Sequence, residues 1–233
     1  MQNIWVGKMK KHFYAAGAAI AHVMIIESVA MAAPIAFINE FHYDNAMGDV
    51  NEFVEIAGSA GLDLTGWTVT FYNGSNGTEY RTEQLSGVLS DQSDGYGFSV
   101  VALPVNGIQN GQPDGLVLAD ANGVVVDSLA YEGSFTAVGG VADGVVLLDI
   151  GVAEDSSTPI DSSLGLTGTG GSTSDFVWAL FDEPSNGMGA TPGAANVGQT
   201  FSTLTGAEVP LPPAMGLFAL AGVGLIKRTR NGE

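Results

Sequence analysis

The sequence predicts an all-β protein, a sandwich of two antiparallel sheets. Glycine accounts for 33 of the 233 residues, and the apolar residues come in short runs separated by Gly, Asn and Asp, which is typical of strands joined by turns. Between the two ends of the chain, no segment has the sustained 3.6-residue periodicity of a helix. Seven or more such strands close most naturally as two packed antiparallel sheets.

The clearest strand is marked by alternation of apolar and polar residues. Trp67, Val69 and Phe71 alternate with threonines, so they share one buried face of a strand. Residues 73–78 then contain Asn-Gly twice, and Asn-Gly favours the positive φ angles of a tight hairpin turn. We therefore expect the chain to return over residues 78–85 as a paired strand.

The remaining strands are predicted from the same kind of pattern. In the second of them, Val54 and Ile56 lie on one face, whereas Phe53 and Glu55 lie on the other. The chain between residues 139 and 174 is rich in Gly, Ser and Thr, and we expect it to be looped. The predicted strands outside the hairpin cover residues 35–43, 52–57, 97–103, 115–119, 124–131 and 176–181, with a candidate short strand at 145–150.

Charge is distributed very unevenly along the chain. Residues 33–208 contain 23 of the 25 acidic residues but only one of the seven basic residues, Arg81, which gives this part a net charge of −22. Such a surface repels phosphate, so direct nucleic-acid binding is disfavoured. It suits either solubility in a salty medium or the collection of divalent cations. The chain has no cysteine, so the fold must be held by its core without disulfides.

The start of the chain has the pattern of a signal peptide, which we assign to residues 1–32. A positively charged segment precedes an apolar run over residues 13–26. Ala30 and Ala32 supply the small-x-small pattern that signal peptidase requires, and we expect cleavage after Ala32. An N-terminal membrane helix that is retained is the alternative. The positive charges are Lys8, Lys10 and Lys11.

The other end of the chain, residues 209–233, combines a proline motif, an apolar run over residues 214–226 and a basic tail. The motif is Val209, Pro210, Leu211 and Pro212, and the basic residues are Lys227, Arg228 and Arg230. The run is short for a hydrocarbon core of ~30 Å. The arrangement resembles the PEP-CTERM sorting signals of Gram-negative bacteria in their VPLPA variant, which implies transient inner-membrane anchoring and processing by an exosortase. An ordinary tail anchor and a buried C-terminal helix are the alternatives.

Short motifs recur in order over the exported part of the chain. They include Ile-Asn-Glu-Phe-His-Tyr-Asp-Asn at 38–45, Asn-Glu-Phe-Val-Glu-Ile at 51–56, Ser-Leu-Ala-Tyr-Glu-Gly at 128–133, Ser-Leu-Gly-Leu-Thr-Gly at 163–168 and Thr-Pro-Gly-Ala-Ala-Asn at 191–196. These motifs resemble those of bacterial lamin-tail domains. The resemblance implies an immunoglobulin-like β-sandwich over residues 33–200, followed by a linker over residues 201–208. It implies no catalytic residues, and bacterial domains of this family often accompany secreted nuclease- or phosphatase-type hydrolases.

The residues needed for catalysis are scarce. After removal of the signal peptide, His42 is the one histidine that remains, and no Gly-x-Ser-x-Gly motif accompanies it. Zinc and iron sites require several His or Cys ligands, so one histidine and no cysteine disfavour both metals. A glycosidase requires two carboxylates at a defined separation, and Glu52 and Glu55, three residues apart on a strand, point to opposite faces. We therefore expect no enzymatic activity.

Calcium is the cofactor that the sequence favours, because calcium binds carboxylate and carbonyl oxygens held in loops. Four acids fall at two strand ends and in the loop that connects them. A second set, Asp91 and Asp94, lacks the full EF-hand pattern, and Asp-Gly and Asp-Asn pairs also occur simply as turn formers. The four predicted ligands are Glu40, Asp44, Asp49 and Glu52.

Taken together, these patterns predict an exported, non-catalytic binding or structural module at the cell surface or in the extracellular matrix. Its expected partners are the two processing enzymes and an exopolysaccharide or another surface protein. An accessory domain of a secreted nuclease or phosphatase is the alternative, and a carboxylate-based hydrolase is a third.

Overall fold

Two antiparallel sheets and a small hairpin make up the structure, a computed structural model that describes residues 35–182 and 189–202. The all-β prediction is confirmed, since the described helices are two single 3₁₀ turns, Gly140–Ala142 and Thr173–Asp175. The strands are β1 (Ala36–His42), β2 (Phe53–Ser59), β3 (Thr68–Asn73), β4 (Thr78–Gln84), β5 (Tyr96–Ala102), β6 (Asp114–Ala119), β7 (Val125–Tyr131), β8 (Phe135–Thr136), β9 (Val146–Leu147), β10 (Ser163–Gly170), β11 (Phe176–Phe181) and β12 (Gln199–Phe201).

The larger sheet has the strand order β11-β10-β1-β2-β5, and β12 pairs in parallel with the end of β10. The smaller sheet has the order β4-β3-β6-β7, and β8 pairs with β9 as a separate hairpin. The predicted Asn-Gly hairpin is confirmed, because β3 and β4 pair antiparallel across residues 73–78.

The main core lies between the two sheets. Val69 and Phe71 are buried there and Trp67 packs against it in part, as the alternation predicted. The ring of Phe41 is at the centre, with its centroid 5.5 Å from that of Tyr131 and 5.6 Å from that of Trp178. The larger sheet contributes Ile38, Phe41, Val54, Ile56 and Leu164, and the smaller sheet contributes Val69, Phe71, Leu116, Leu118, Leu129 and Tyr131.

The outer face of the larger sheet is also covered. Phe201 on β12 stacks on Tyr96, with ring centroids 4.4 Å apart, and it contacts Phe37, Phe98 and Phe176. These rings form a second buried cluster. Strands β1 and β2 are therefore buried on both faces, which is why both carry almost no exposed residue.

The expectation that residues 139–174 are looped is wrong for β10, which lies between β1 and β11. Its Gly- and Thr-rich sequence reflects close packing. A Cβ at Gly165 would lie 2.5 Å from the ring of Phe181 and 2.7 Å from Nδ2 of Asn196, so only glycine fits between these neighbours. The candidate strand at 145–150 is present as the two-residue β9.

The predicted processing signals lie outside the described residues. They include the cleavage pattern at Ala30 and Ala32, the proline motif at 209–212 and the basic residues Lys227, Arg228 and Arg230. Within residues 35–182 and 189–202, no helix is long and apolar enough to cross a membrane.

Candidate functional site

A β-bulge in β1 organises the outer face of the larger sheet. The pairing register between β1 and β2 shifts between Ile38 and Glu40, so Asn39 has no cross-strand partner. Ile38 packs in the main core, whereas the side chains of Asn39 and Glu40 both bond groups of the outer face. A bulge permits this arrangement because it interrupts the strict alternation of side chains.

Two buried carboxyl groups, those of Glu40 and Glu55, lie on this outer face. Their hydrogen bonds, which we call the outer-face network, fix the segment at 190–199. Glu40 and Glu55 are direct cross-strand partners. The Oε1 atom of Glu40 accepts hydrogen bonds from Ser163 Oγ at 2.6 Å and from the Thr191 backbone N–H at 2.8 Å. Glu55 accepts bonds from Asn39 Nδ2 at 2.9 Å and from the Gly193 backbone N–H. These bonds attach the C-terminal segment to β1 and β2.

Burial dominates the ionisation of both groups. It raises the pKa of Glu40 despite the bonds from Ser163 and Thr191. It raises the pKa of Glu55 to about 8, against the opposing effect of its hydrogen bonds and with a further increase from the nearby Glu40. The carboxyl of Glu55 is therefore largely protonated at neutral pH.

His42 is part of a second buried network. Its Nδ1 atom lies 2.7 Å from Oε1 of Glu154, and its Nε2 atom lies 2.8 Å from Nδ2 of Asn45. The other oxygen of Glu154 accepts the backbone N–H groups of Tyr43 at 2.7 Å and Asp44 at 3.0 Å. Burial lowers the pKa of His42, whereas the hydrogen bond and the negative charge of Glu154 raise it. The raising effects together outweigh burial, so the pKa of His42 is above its ordinary value. Both ring nitrogens have partners within the protein.

The four predicted calcium ligands are brought together only in part. Asp44 and Asp49 are adjacent, and the pKa of Asp44 is raised to about 6 by burial and by the charge and hydrogen bond of Asp49. Glu40 lies in the outer-face network, and Glu52 accepts the backbone N–H groups of Gly107 and Ile108. Among residues 35–182 and 189–202, no group of three or more His, Asp or Glu side chains is arranged to hold a metal ion. Calcium binding stays a prediction.

The second candidate set forms an ordinary turn. Asp91 Oδ1 accepts the backbone N–H of Gly95 at 3.0 Å, and Asp94 adopts a left-handed conformation with φ of 47°. Asp and Gly favour such turns because of their local hydrogen bonding and their tolerance of positive φ. The sequence of this loop is thus accounted for by its backbone geometry.

A polar cleft lies beside Asp44 and Asp49, and we call it the amide cleft. It consists of two adjoining hollows of about 500 and 450 Å³ that share Asn110, Gly111 and Gln112. Nearly all of its other lining groups are carboxylates, amides and hydroxyls. They are Asp49, Asn73, Ser75, Asn106, Gln109 and Asp114 on one side, and Asp44, Glu132, Glu154, Asp155 and Ser156 on the other.

No family model matches the sequence, and neither a curated protein nor a solved structure shows significant similarity to it.

The loops around the amide cleft are each held by a buried or half-buried carboxylate. Glu154 binds the backbone at Tyr43 and Asp44, and Glu52 binds the loop at Gly107 and Ile108. Asp114 Oδ1 accepts the backbone N–H of Gly74 at 3.0 Å.

Three further residues of this site, Glu154, Glu132 and Asn110, are not among those that the sequence predicts. Glu154 is 112 residues from His42, which it contacts, and it stands in a loop with no recognisable motif. Asn110 donates to Asp49 Oδ2 at 3.0 Å over a separation of 61 residues. Tertiary pairing over such distances leaves no signal in a single sequence, although the lack of any charged residue between Asp94 and Asp114 marks this loop as unusual in so acidic a chain.

Proposed function

We propose that this chain is an exported, non-catalytic binding module of the immunoglobulin-like lamin-tail type. It acts at the cell surface or in the extracellular matrix, and its ligand is a neutral or amine-bearing polysaccharide held in the amide cleft. The proposal places export before signal-peptidase cleavage at Ala32 and exosortase processing near Pro210, as the two terminal sequence patterns suggest.

The observation that carries the proposal is the fixed geometry of the amide cleft. The buried carboxylates of Glu52, Asp114 and Glu154 accept backbone N–H groups of the surrounding loops. A carboxylate that accepts two or three backbone bonds holds a loop in one conformation, and binding to a preformed surface costs less conformational entropy. The Nδ1 atom of His42 faces Glu154 and its Nε2 atom faces Asn45, so neither ring nitrogen is free to act as a general base on a ligand.

The chemistry of the cleft indicates the class of ligand. Amide and carboxylate side chains bond hydroxyl and amine groups, which carbohydrates present at high density. A net charge of −22 over residues 33–208 repels polyanions and favours neutral or cationic chains.

Binding is tested with the mature protein and a matrix polysaccharide fraction from its own source, by isothermal titration calorimetry. The cleft variant combines Asn110→Ala with Gln112→Ala, because both side chains are exposed in the amide cleft. The control combines Gln84→Ala with Asn122→Ala, an exposed amide on β4 and another in the turn between β6 and β7. We expect the cleft variant to lose at least tenfold in affinity and the control to bind like wild type. Equal binding by all three proteins, or no binding by wild type, contradicts the proposal.

Processing is tested separately by cell fractionation and intact-mass analysis. We expect a mature chain that begins after Ala32 and lacks the segment beyond the proline motif, recovered from the outer surface or the matrix. An intact C-terminus in the inner membrane would instead indicate a tail anchor and would contradict the sorting part of the proposal.

A further inference from the structure

The free edge of the larger sheet is open over a short, defined stretch of β5. Leu103, directly after β5, donates its backbone N–H to the carbonyl of Glu52, directly before β2, so alternate residues of β5 direct their N–H and C=O groups away from β2. Val100 and Ala102 are such residues, and within the part of the chain that the structure describes no group bonds their outward N–H or C=O. An open edge of this kind is a template for pairing with another strand.

Both ends of this stretch are closed to further pairing. Toward its start, the outward N–H of Phe98 donates to the side-chain Oε1 of Gln92 at 2.9 Å, and the carbonyl of Tyr96 accepts bonds from Gln92 and Ser93. Toward its end, the next outward residue is Pro104, which has no N–H to donate. Among the described residues of this edge, Val100 and Ala102 are therefore the ones that offer a partner both a free N–H and a free C=O.

This arrangement is self-complementary about Val101. When the β5 strands of two copies pair antiparallel with Val101 opposite Val101, Val100 of the first copy lies opposite Ala102 of the second. By the same symmetry, Ala102 of the first copy lies opposite Val100 of the second. Each of these pairs exchanges two N–H to C=O bonds, so all four outward groups of both strands are satisfied. A two-fold axis at Val101 produces this isologous contact, which is the commonest kind in homodimers.

The side chains and charges of the edge suit a second copy. Between Asp94 and Asp114 the chain has no charged residue, so in this register the acidic turn at Asp91 and Asp94 lies opposite the uncharged loop 104–112 of the second copy. A groove of about 580 Å³ flanks the strand on the outer face, and it is lined mainly by apolar groups of Phe53, Val100, Ala102, Pro104, Val105 and Pro192. Val100 of the second copy would lie at its opening.

The two edges of the smaller sheet are protected. The outer strand β4 carries Glu79, Arg81 and Glu83, and charged side chains deter edge pairing. The end of β7 is covered by the following chain, because Ala130 bonds both Leu148 and Ile150.

We propose that the protein pairs with a second copy of itself through antiparallel β5–β5 contact centred on Val101, which joins two larger sheets into one. The contact is short compared with the roughly 1,200–2,000 Å² that stable interfaces bury, so the dimer is weak and forms where the protein is concentrated, as on a surface. Since the two copies carry like net charge, salt strengthens the dimer by screening that repulsion.

The first test is sedimentation equilibrium of the mature protein at up to millimolar concentration, in low salt and in ~0.5 M NaCl. Val100→Lys places a charge on the open edge, and Val126→Lys is its matched control because the two side chains are 39% and 42% exposed. We expect wild type and Val126→Lys to dimerise, more tightly in high salt, and Val100→Lys to weaken the dimer at least tenfold. A wild type that stays monomeric throughout, or equal dimerisation by both variants, overturns the proposal.

The second test determines the register of the β5–β5 pair by disulfide cross-linking. The chain has no cysteine of its own, so an introduced cysteine can pair only with the same cysteine of a second copy. In the proposed pair the Cα atoms of Val101 in the two copies are ~4.5 Å apart, within the range that a disulfide spans. The Cα atoms of Ser99 in the two copies are offset by four residues along the strands, which is ~13 Å. Oxidation should therefore link Val101→Cys into a covalent dimer but not Ser99→Cys. Equal linking of both variants, or linking of Ser99→Cys alone, overturns the register.

Discussion

Replacement of Glu55 by glutamine should remove a defined part of the pH dependence of folding. Glu55 is fully buried on β2, and burial raises its pKa to about 8 in the folded protein, compared with 4.5 for an unperturbed glutamate. A group whose pKa is raised by folding stabilises the folded state below pH 4.5, and this contribution is lost as the pH rises through 8. At ~1.36 kcal/mol per pH unit, the loss is roughly 5 kcal/mol.

The glutamine variant keeps the size of the side chain and cannot ionise. Its carbonyl oxygen accepts the N–H of Gly193, and its NH₂ group requires the amide of Asn39 to turn over. That rearrangement disturbs the bond from Gln199 to Asn39, at a cost of about 1–3 kcal/mol that does not depend on pH. The variant should therefore be less stable than wild type at pH 4.5 and more stable at pH 9.

Urea denaturation between pH 4.5 and 9 measures the effect as the difference between wild type and Glu55→Gln. The difference removes the contributions of other acids whose pKa values are raised, among them the buried Asp114 and the half-buried Asp127. Glu79→Gln, at an exposed position on β4, should leave the wild-type curve unchanged. If Glu55→Gln lost stability across this range as steeply as wild type, the assignment of a protonated, buried Glu55 would be refuted.

Three other changes have defined outcomes. Glu154→Ala leaves the N–H groups of Tyr43 and Asp44 and the ring of His42 without their acceptor, and it should lower the free energy of unfolding by about 3–5 kcal/mol in urea denaturation. Gly165→Ala should cost about 1–3 kcal/mol in the same assay, because the added Cβ collides with the ring of Phe181. Calcium at millimolar concentration should raise the melting temperature of wild type but not of the double variant Asp44→Asn, Asp49→Asn; a wild-type curve unmoved by calcium or EDTA contradicts the calcium hypothesis.

The strands of the smaller sheet could be predicted because each follows a rule that local sequence expresses. Trp67, Val69 and Phe71 alternate with polar residues, since one face of β3 meets the core. The doubled Asn-Gly turn sets the hairpin to β4 through the φ angles that it favours.

In the larger sheet, neither alternation nor a turn motif marks strand β10 or the bulge in β1. The prediction of a loop over residues 139–174 is therefore wrong for β10. Strand β10 is covered on both faces at its start, so it needs glycine for close approach rather than alternating apolar residues. The bulge at Asn39 turns two successive polar side chains toward one face, and no local pattern marks it. The partners of Glu154 and Asn39 are 112 and 160 residues away, so the amide cleft and the outer-face network become visible only in the folded chain.

The acidity of the chain explains why its buried carboxyl groups are stabilised as they are. Arg81 is the one basic residue between residues 33 and 208, and it pairs with Glu83 at 2.6 Å on β4. Within the described residues, the buried acids therefore have no lysine or arginine to neutralise them, and what remains is a proton, the ring of His42, or backbone, hydroxyl and amide donors. A backbone N–H group that bonds a buried carboxylate fixes the loop to which it belongs. A buried carboxyl group that is neutralised by a proton makes the stability of the fold depend on pH. The fixed loops of the amide cleft and the pH-dependent hold on the segment at 190–199 thus have one physical origin.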